Sequence, residues 1–115
     1  GDGRGIHRMG HALVPLDESL AQVAVDLSGR GYASIECGLS GYMVENLPGE
    51  MVEHFLESFA LEARMNLHVK ILAGHNGHHK AESVFKALAK ALRMALERDQ
   101  RANFDVPSTK GVISE

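Results

Sequence analysis

The sequence predicts an α+β fold in which a small, mainly antiparallel sheet carries two helices packed on one face. Two short runs of apolar and β-branched residues flank a glycine-rich turn, as neighbouring strands do. Further along, two stretches with apolar residues at three- and four-residue spacing predict amphipathic helices, and an alternating stretch between them predicts a half-buried strand. A chain of 115 residues, 44% of them hydrophobic, suits one small domain of this kind.

The first elements are predicted from strand and turn signals. We expect residues 1–19 to form an N-terminal segment, in which Ala12–Val14 could add a short strand. The apolar run Leu20–Ser28 and the run Tyr32–Cys37 predict two strands. Since Gly29-Arg30-Gly31 is typical of a turn, these strands should form an antiparallel hairpin.

The remaining elements are predicted from periodicity. After a loop over residues 38–49, a helix should span Glu50–Met65, a strand Leu67–Leu72 and a second helix Gly77–Arg98. The apolar stripe of the first helix should comprise Val52, Phe55, Leu56, Phe59 and Ala63. That of the second should comprise Ala81, Val84, Phe85, Leu88, Leu92 and Ala95. The predicted order is β-β-α-β-α in a core spanning residues 20–98, followed by a polar tail over 99–115, because two helices on one sheet face bury both stripes economically.

Composition excludes several classes of protein. With 12 Lys and Arg against 15 Asp and Glu, the net charge of −3 does not favour nucleic-acid binding. No apolar run approaches the roughly 20 residues of a membrane span, so we expect no membrane partner. Cys37, the single cysteine, cannot form an internal disulfide, which fits a reducing compartment. The chain begins with Gly1 rather than Met, so it could be a processed product or part of a longer polypeptide.

Histidine is the unusual component, since the chain has seven. On the second predicted helix, His78 and Glu82 are four residues apart and share a face beside the apolar stripe. Imidazole nitrogen and carboxylate oxygen together suit Mn, Fe, Co or Zn better than Ca. His79 points about 100° away from His78 and would serve another ion, whose other ligands come from elsewhere, including another subunit.

Spacing alone leaves other interpretations open. A histidine on a helix surface is usually a solvated side chain, and this interpretation applies to His78 and His79 as well. His54 reads as an exposed helix residue, His68 as a packing or supporting residue and His75 as a loop residue. His7 and His11 have no informative spacing. A metallohydrolase is disfavoured because its helical motif is His-Glu-x-x-His, not His-His-x-x-Glu.

Six segments together form a recognisable set: Gly5–Gly10, Pro15–Glu18, Asp26–Arg30, Val52–Phe55, His78–Leu88 and the closing Pro107-Ser108-Thr109-Lys110-Gly111. They occur in this order in imidazoleglycerol-phosphate dehydratase, and the chain resembles the C-terminal half of that family's duplicated chain. The resemblance implies one half-domain of a duplicated β-β-α-β-α fold. It also implies metal-assisted dehydration of imidazole glycerol phosphate to imidazole acetol phosphate in histidine biosynthesis.

The resemblance further implies a set of site residues. The metal ligands would be His54, His78, His79 and Glu82, so that His54 becomes a ligand rather than an ordinary exposed residue. The substrate and phosphate contacts would be Arg8, Arg30, Lys86, Ser108 and Lys110. The cofactor would be Mn(II), two ions per complete site, with other divalent transition metals possible. No catalytic residue falls on this chain, because the acid–base Glu of the family lies in the other half.

The implied partners are a small phosphate substrate and further copies of the chain in a homo-oligomer whose metal sites are shared between subunits. The implied location is the cytoplasm, or the plastid for a plant protein. The alternative is a non-catalytic half-domain that binds metal or has a structural role, and that self-associates.

Overall fold

The computed structural model describes residues 8–97, which form two helices and six strands. In chain order the elements are β1 (Met9–Leu16), β2 (Ser19–Asp26), β3 (Tyr32–Glu36), β4 (Met43–Val44), β5 (Leu47–Pro48), α1 (Gly49–Ala63), β6 (Asn66–Ala73) and α2 (Gly77–Leu96).

The main sheet has four strands in the order β1-β2-β6-β3. The pairs β1–β2 and β2–β6 are antiparallel, whereas β3 runs parallel to β6. Both helices contact the sheet, α2 over β1 and β2 and α1 over β3 and β6. The predicted class, a mainly antiparallel sheet with two helices on one face, is therefore confirmed.

The core lies between the sheet and the helices. Alternate residues of the central strands are buried there, namely Val23 and Val25 of β2 and Leu67 and Val69 of β6. The helices contribute Val52, Leu56, Ala60, Ala81, Val84, Ala87, Leu88, Ala91 and Ala95. Because strand side chains alternate between faces, the intervening residues lie on the open face of the sheet.

The sheet begins earlier along the chain than we expected. β1 occupies Met9–Leu16 rather than Ala12–Val14 alone, and it forms an outer strand. The buried Gly10 of this strand lies directly against α2, so that a Cβ atom there would overlap the carbonyl oxygen of Ala91. The sheet therefore starts before the core boundary that we expected at residue 20.

The predicted hairpin between Leu20–Ser28 and Tyr32–Cys37 is wrong. β2 forms its hairpin with β1 instead, through the turn at Asp17 and Glu18, and β6 lies between β2 and β3. Residues 27–31 consequently bridge two strand spacings, about 10 Å, rather than closing a tight turn. A glycine-rich segment permits either route, and here the chain takes the longer one, so that β3 pairs with β6 in parallel.

Three smaller differences concern α1, α2 and the preceding loop. The segment 38–49 contains a two-stranded ribbon, β4 with β5, rather than a loop alone. Phe55 and Phe85, which we expected in the apolar stripes, are 52% and 39% exposed, and their rings contact each other with centroids 6.1 Å apart. α1 ends at Ala63, where Arg64 takes a left-handed conformation with φ 57° and stops the helix.

No helix within residues 8–97 is long and apolar enough to span a membrane.

Candidate metal and substrate site

The histidine pair lies at the start of α2, where the chain leaves β6. Asn76 caps the helix, and its side-chain oxygen accepts a hydrogen bond of 2.9 Å from the backbone N–H of His79. The first helical residue, Gly77, lies so close to β4 that a Cβ atom would be 2.8 Å from the carbonyl oxygen of Met43. The helix start is thus fixed both by its cap and by its packing, and it holds the two histidines in the first turn.

His78, Glu82 and Lys86 form a row along one face of α2. The His78 Nε2 atom lies 3.2 Å from Glu82 Oε1, and Lys86 Nζ lies 3.1 Å from Glu82 Oε2. The hydrogen bond and the charge of Lys86, followed by the charge of His78, lower the pKa of Glu82. Glu82 is therefore an anion that faces one imidazole and one ammonium group.

The donor atoms of this row fit a transition metal. Two ligands that each lie about 2.1 Å from one ion, at right angles, are about 3 Å apart, close to the separation of His78 Nε2 and Glu82 Oε1. A second carboxylate, that of Glu45, lies 3.9 Å from His78 Nδ1. The four-residue spacing predicted the approach of His78 and Glu82, but gave no indication of Glu45.

His79 faces a different pair of carboxylates. Its Nδ1 atom lies 2.8 Å from Glu18 Oε1, and its Nε2 atom lies 3.5 Å from Asp17 Oδ2. The hydrogen bond to Glu18 is the main cause that raises the pKa of His79, and the same bond lowers the pKa of Glu18. Both carboxylates come from the turn between β1 and β2, 61 or more positions away in sequence.

Sequence reasoning gave Asp17 and Glu18 no role. The available signal was the segment Pro15–Glu18, which matched the family motif without having an assigned chemistry. The rings of His78 and His79 have centroids 6.4 Å apart and lie at 72° to each other, and they contact different carboxylates. They are therefore directed at different places, as the helix geometry predicted.

His54 belongs to neither of these clusters as the structure describes them. It lies exposed in the second turn of α1. Within residues 8–97, no group of three or more His, Cys, Asp or Glu side chains has an arrangement that could hold a metal ion. Within residues 8–97, the clusters at His78 and His79 are thus at most partial ligand sets.

The expected phosphate-binding arginines lie at the opposite end of the domain. Arg8 forms an ion pair with Asp26, in which Nε lies 2.8 Å from Oδ1, and its backbone N–H donates to the carbonyl of Ala95. Sixteen helical residues separate Ala95 from His79, a distance of about 24 Å along α2. Arg30 lies at the same end as Arg8, in the segment that connects β2 to β3, where its carbonyl accepts a hydrogen bond of 2.8 Å from Asn66.

The residues that we expected to contact the substrate thus lie in separate parts of the chain. Lys86 lies beside the histidines, whereas Arg8 and Arg30 lie about one helix length away. Ser108 and Lys110 lie outside the described residues. Within one copy of the chain, Arg8 and Arg30 therefore lie too far from Lys86 to contact the same small molecule.

The other described histidines, which we did not expect to bind metal, lie exposed outside these clusters. His68 lies exposed on the open face of the sheet, with its ring 5.6 Å from that of Tyr32. His75 is an exposed residue between β6 and α2, and His11 lies exposed on β1. His7 lies outside the described residues.

Comparison with known proteins identifies the family. The family model described as imidazoleglycerol-phosphate dehydratase matches residues 1–92. The chain belongs to this family. An imidazoleglycerol-phosphate dehydratase of Dehalococcoides mccartyi is 53% identical over 113 residues, which are 98% of this chain and 58% of the relative. One of Candida glabrata is 52% identical over 114 residues, 99% of this chain and 53% of the relative.

Solved structures of imidazoleglycerol-phosphate dehydratases share the fold. That of Staphylococcus aureus superposes with a TM-score of 0.79 at 38% identity, over 84% of this chain and 56% of that one. That of Pyrococcus furiosus, in complex with (S)-C348, superposes with a TM-score of 0.67 at 34% identity, over 83% of this chain and 53% of that one. The chain thus spans about half the length of the relatives that it matches.

Proposed function

We propose that the chain supplies the C-terminal half of an imidazoleglycerol-phosphate dehydratase. This hydro-lyase would convert imidazole glycerol phosphate to imidazole acetol phosphate in histidine biosynthesis. The observation that supports the proposal best is the contact of 3.2 Å between His78 and Glu82, with Lys86 beside it, in a chain of the dehydratase family.

The proposed cofactor is Mn(II), two ions per complete site, although other divalent transition metals suit the same donors. His78 and Glu82 would hold one ion, and His79 with His54 would contribute to the other. When bound, the metal would supply Lewis acidity and would orient the substrate. Lys86, next to Glu82 in the same row, would bind an anionic group of the substrate.

The separation of the histidines from Arg8 and Arg30 supports a site shared between chains. Guanidinium groups neutralise and orient a phosphate well, so the arginine end of one chain would meet the histidine end of another. The second chain would be an N-terminal half or another copy of this chain in a homo-oligomer. The proposed location is the cytoplasm, or the plastid if the protein comes from a plant.

Metal content tests the proposed ligands. Wild-type chain, His78→Ala and the control His75→Ala should be loaded with Mn(II), and bound metal should be measured by elemental analysis. We expect His78→Ala to lose metal and His75→Ala to retain it, because His75 contacts Glu18 through its backbone and not through its ring. Equal metal content in the three proteins would contradict the ligand assignment.

The second candidate function is a non-catalytic half-domain that binds metal or has a structural role, and that self-associates. It is supported by the partial ligand sets, since the described residues bring together no three ligands of the kind that hold an ion. The two candidates differ in turnover of imidazole glycerol phosphate after a separately produced N-terminal half has been added. Metal binding and self-association without turnover in that mixture would favour the second candidate.

A further inference from the structure

We propose that Glu18 is a positioning residue for His79: its carboxylate fixes the imidazole in the tautomer that carries the proton on Nδ1, so that Nε2 is free to bind metal. The metal part of this inference rests on the proposed function. The tautomer does not, because it is a property of the metal-free chain.

Glu18 is itself held in place by several donors. Its Oε2 atom accepts hydrogen bonds from the backbone N–H groups of His75, at 3.2 Å, and Asn76, at 3.0 Å, and from Ser19 Oγ at 2.9 Å. These contacts leave the other oxygen, Oε1, directed at His79 Nδ1 at 2.8 Å. The carboxylate thus links the turn between β1 and β2 to the start of α2, and its orientation toward the ring is set by the backbone.

The tautomer follows from the chemistry of this contact. A carboxylate can only accept hydrogen bonds, so the nitrogen beside it must carry the proton. A neutral imidazole has one N–H and one lone pair, and the lone pair then lies on Nε2. That atom is 3.5 Å from Asp17 Oδ2, too far for a strong hydrogen bond, and the Asp17 side chain is 74% exposed.

His78 differs from His79 in this respect, because no carboxylate among the described residues lies as close to its Nδ1 atom as Glu18 lies to that of His79. The nearest carboxylate to His78 Nδ1 is that of Glu45, at 3.9 Å, and its side chain is 76% exposed. His79 is held at its backbone by the Asn76 cap and at its ring by Glu18. Metal-binding histidines are commonly oriented by a carboxylate on their second nitrogen, and Glu18 has the position and the chemistry for this role.

The substitution Glu18→Gln tests the inference with almost no change in shape. The side-chain oxygen of Gln should stay with the backbone N–H groups of His75 and Asn76, which leaves its NH₂ group facing His79 Nδ1. That nitrogen must then accept, so the proton should move to Nε2. The matched control is Glu53→Gln, because Glu53 also accepts a backbone hydrogen bond, from Leu39 at 3.0 Å, and its carboxylate has no described contact with a histidine.

The tautomer can be read from ¹⁵N chemical shifts and long-range ¹H–¹⁵N correlations of histidine-labelled, metal-free chain at an alkaline pH where the ring is neutral. We expect the Nδ1–H form in wild type and in Glu53→Gln, and the Nε2–H form in Glu18→Gln. An Nε2–H form in the wild type would overturn the inference even if the variant did not fold. An unchanged Nδ1–H form in a folded Glu18→Gln variant would also overturn it.

Calorimetric titration of the same proteins with Mn(II) tests the metal part. Loss of an orienting partner commonly weakens metal binding by about 10–100-fold, and we expect this loss in Glu18→Gln but not in Glu53→Gln. Equal affinity of Glu18→Gln and wild type would contradict the positioning role. A wild-type chain that has the Nδ1–H tautomer but binds no Mn(II) would instead contradict the proposed function.

Discussion

The contact of β1 with α2 allows a quantitative prediction for Gly10→Ala. Alanine at an unstrained glycine position with free space would stabilise the fold by about 0.4–1 kcal/mol, because it restricts the unfolded chain. At Gly10 the added methyl group would overlap the carbonyl oxygen of Ala91 and lie 2.8 Å from the backbone nitrogen of Ala95. The substitution should therefore destabilise the fold instead.

The magnitude follows from the atoms that the methyl group meets. Both belong to the backbone of α2, so rotation of a side chain cannot relieve the contact, and the helix must retreat from the sheet. Overpacking of a core costs about 1–3 kcal/mol, and a clash with helix backbone belongs at the upper end, about 3 kcal/mol. In a domain of this size each kcal/mol lowers Tm by about 4–8 °C, so Tm should fall by about 12–24 °C.

Thermal and urea unfolding followed by circular dichroism would measure this effect. Ala24→Val is a suitable control, because Ala24 is an exposed residue of the neighbouring strand on the open face of the sheet. The control should stay within about 0.5 kcal/mol of wild type. A Gly10→Ala protein as stable as wild type, or more stable, would refute the described packing of β1 against α2.

Three further predictions concern a thiol, an ion pair and association. Burial, followed by the charge of Glu53, raises the pKa of Cys37 to about 12. Iodoacetamide at about pH 8 should therefore label the thiol only after unfolding, and rapid labelling of the folded chain would contradict its burial. The pair of His79, whose pKa is raised, and Glu18, whose pKa is lowered, stabilises the fold fully only between the ordinary pKa values of the two groups, about pH 4.5 to 6.5. Above this range the contribution of His79 is lost as the pH rises through its pKa in the folded chain. The Tm difference between wild type and Glu18→Gln should therefore shrink from about pH 6 to about pH 9, and a constant or growing difference would be inconsistent with the pair. Light scattering at high protein concentration should show self-association, and a strictly monomeric chain would argue against the homo-oligomer.

Features encoded by local spacing could be predicted from the sequence. The period of apolar residues located α1, β6 and α2 to within a few positions, because amphipathic elements bury one face. The approach of His78 and Glu82 followed from a separation of one helical turn. In both cases the relevant residues lie in one element, whose geometry is known before any tertiary contact is considered.

Features that depend on distant residues could not be predicted in this way. The parallel pairing of β3 with β6 arises from competition among strands, and the local turn signal favoured a hairpin instead. The contact of Glu18 with His79 joins two elements 61 positions apart. The exposure of Phe55 and Phe85 likewise depends on where α1 lies beside α2, because residues at the edge of a stripe can face either way.

The proposed function, with its site shared between chains, is tested most directly by dehydratase turnover in a mixture of this chain with a separately produced N-terminal half of a related enzyme, loaded with Mn(II). We expect turnover of imidazole glycerol phosphate with the wild-type chain, and turnover reduced to background when His78→Ala replaces it. Equal turnover with both chains, or none with the wild-type chain in a mixture that has formed a Mn(II)-loaded complex, would contradict the proposed function.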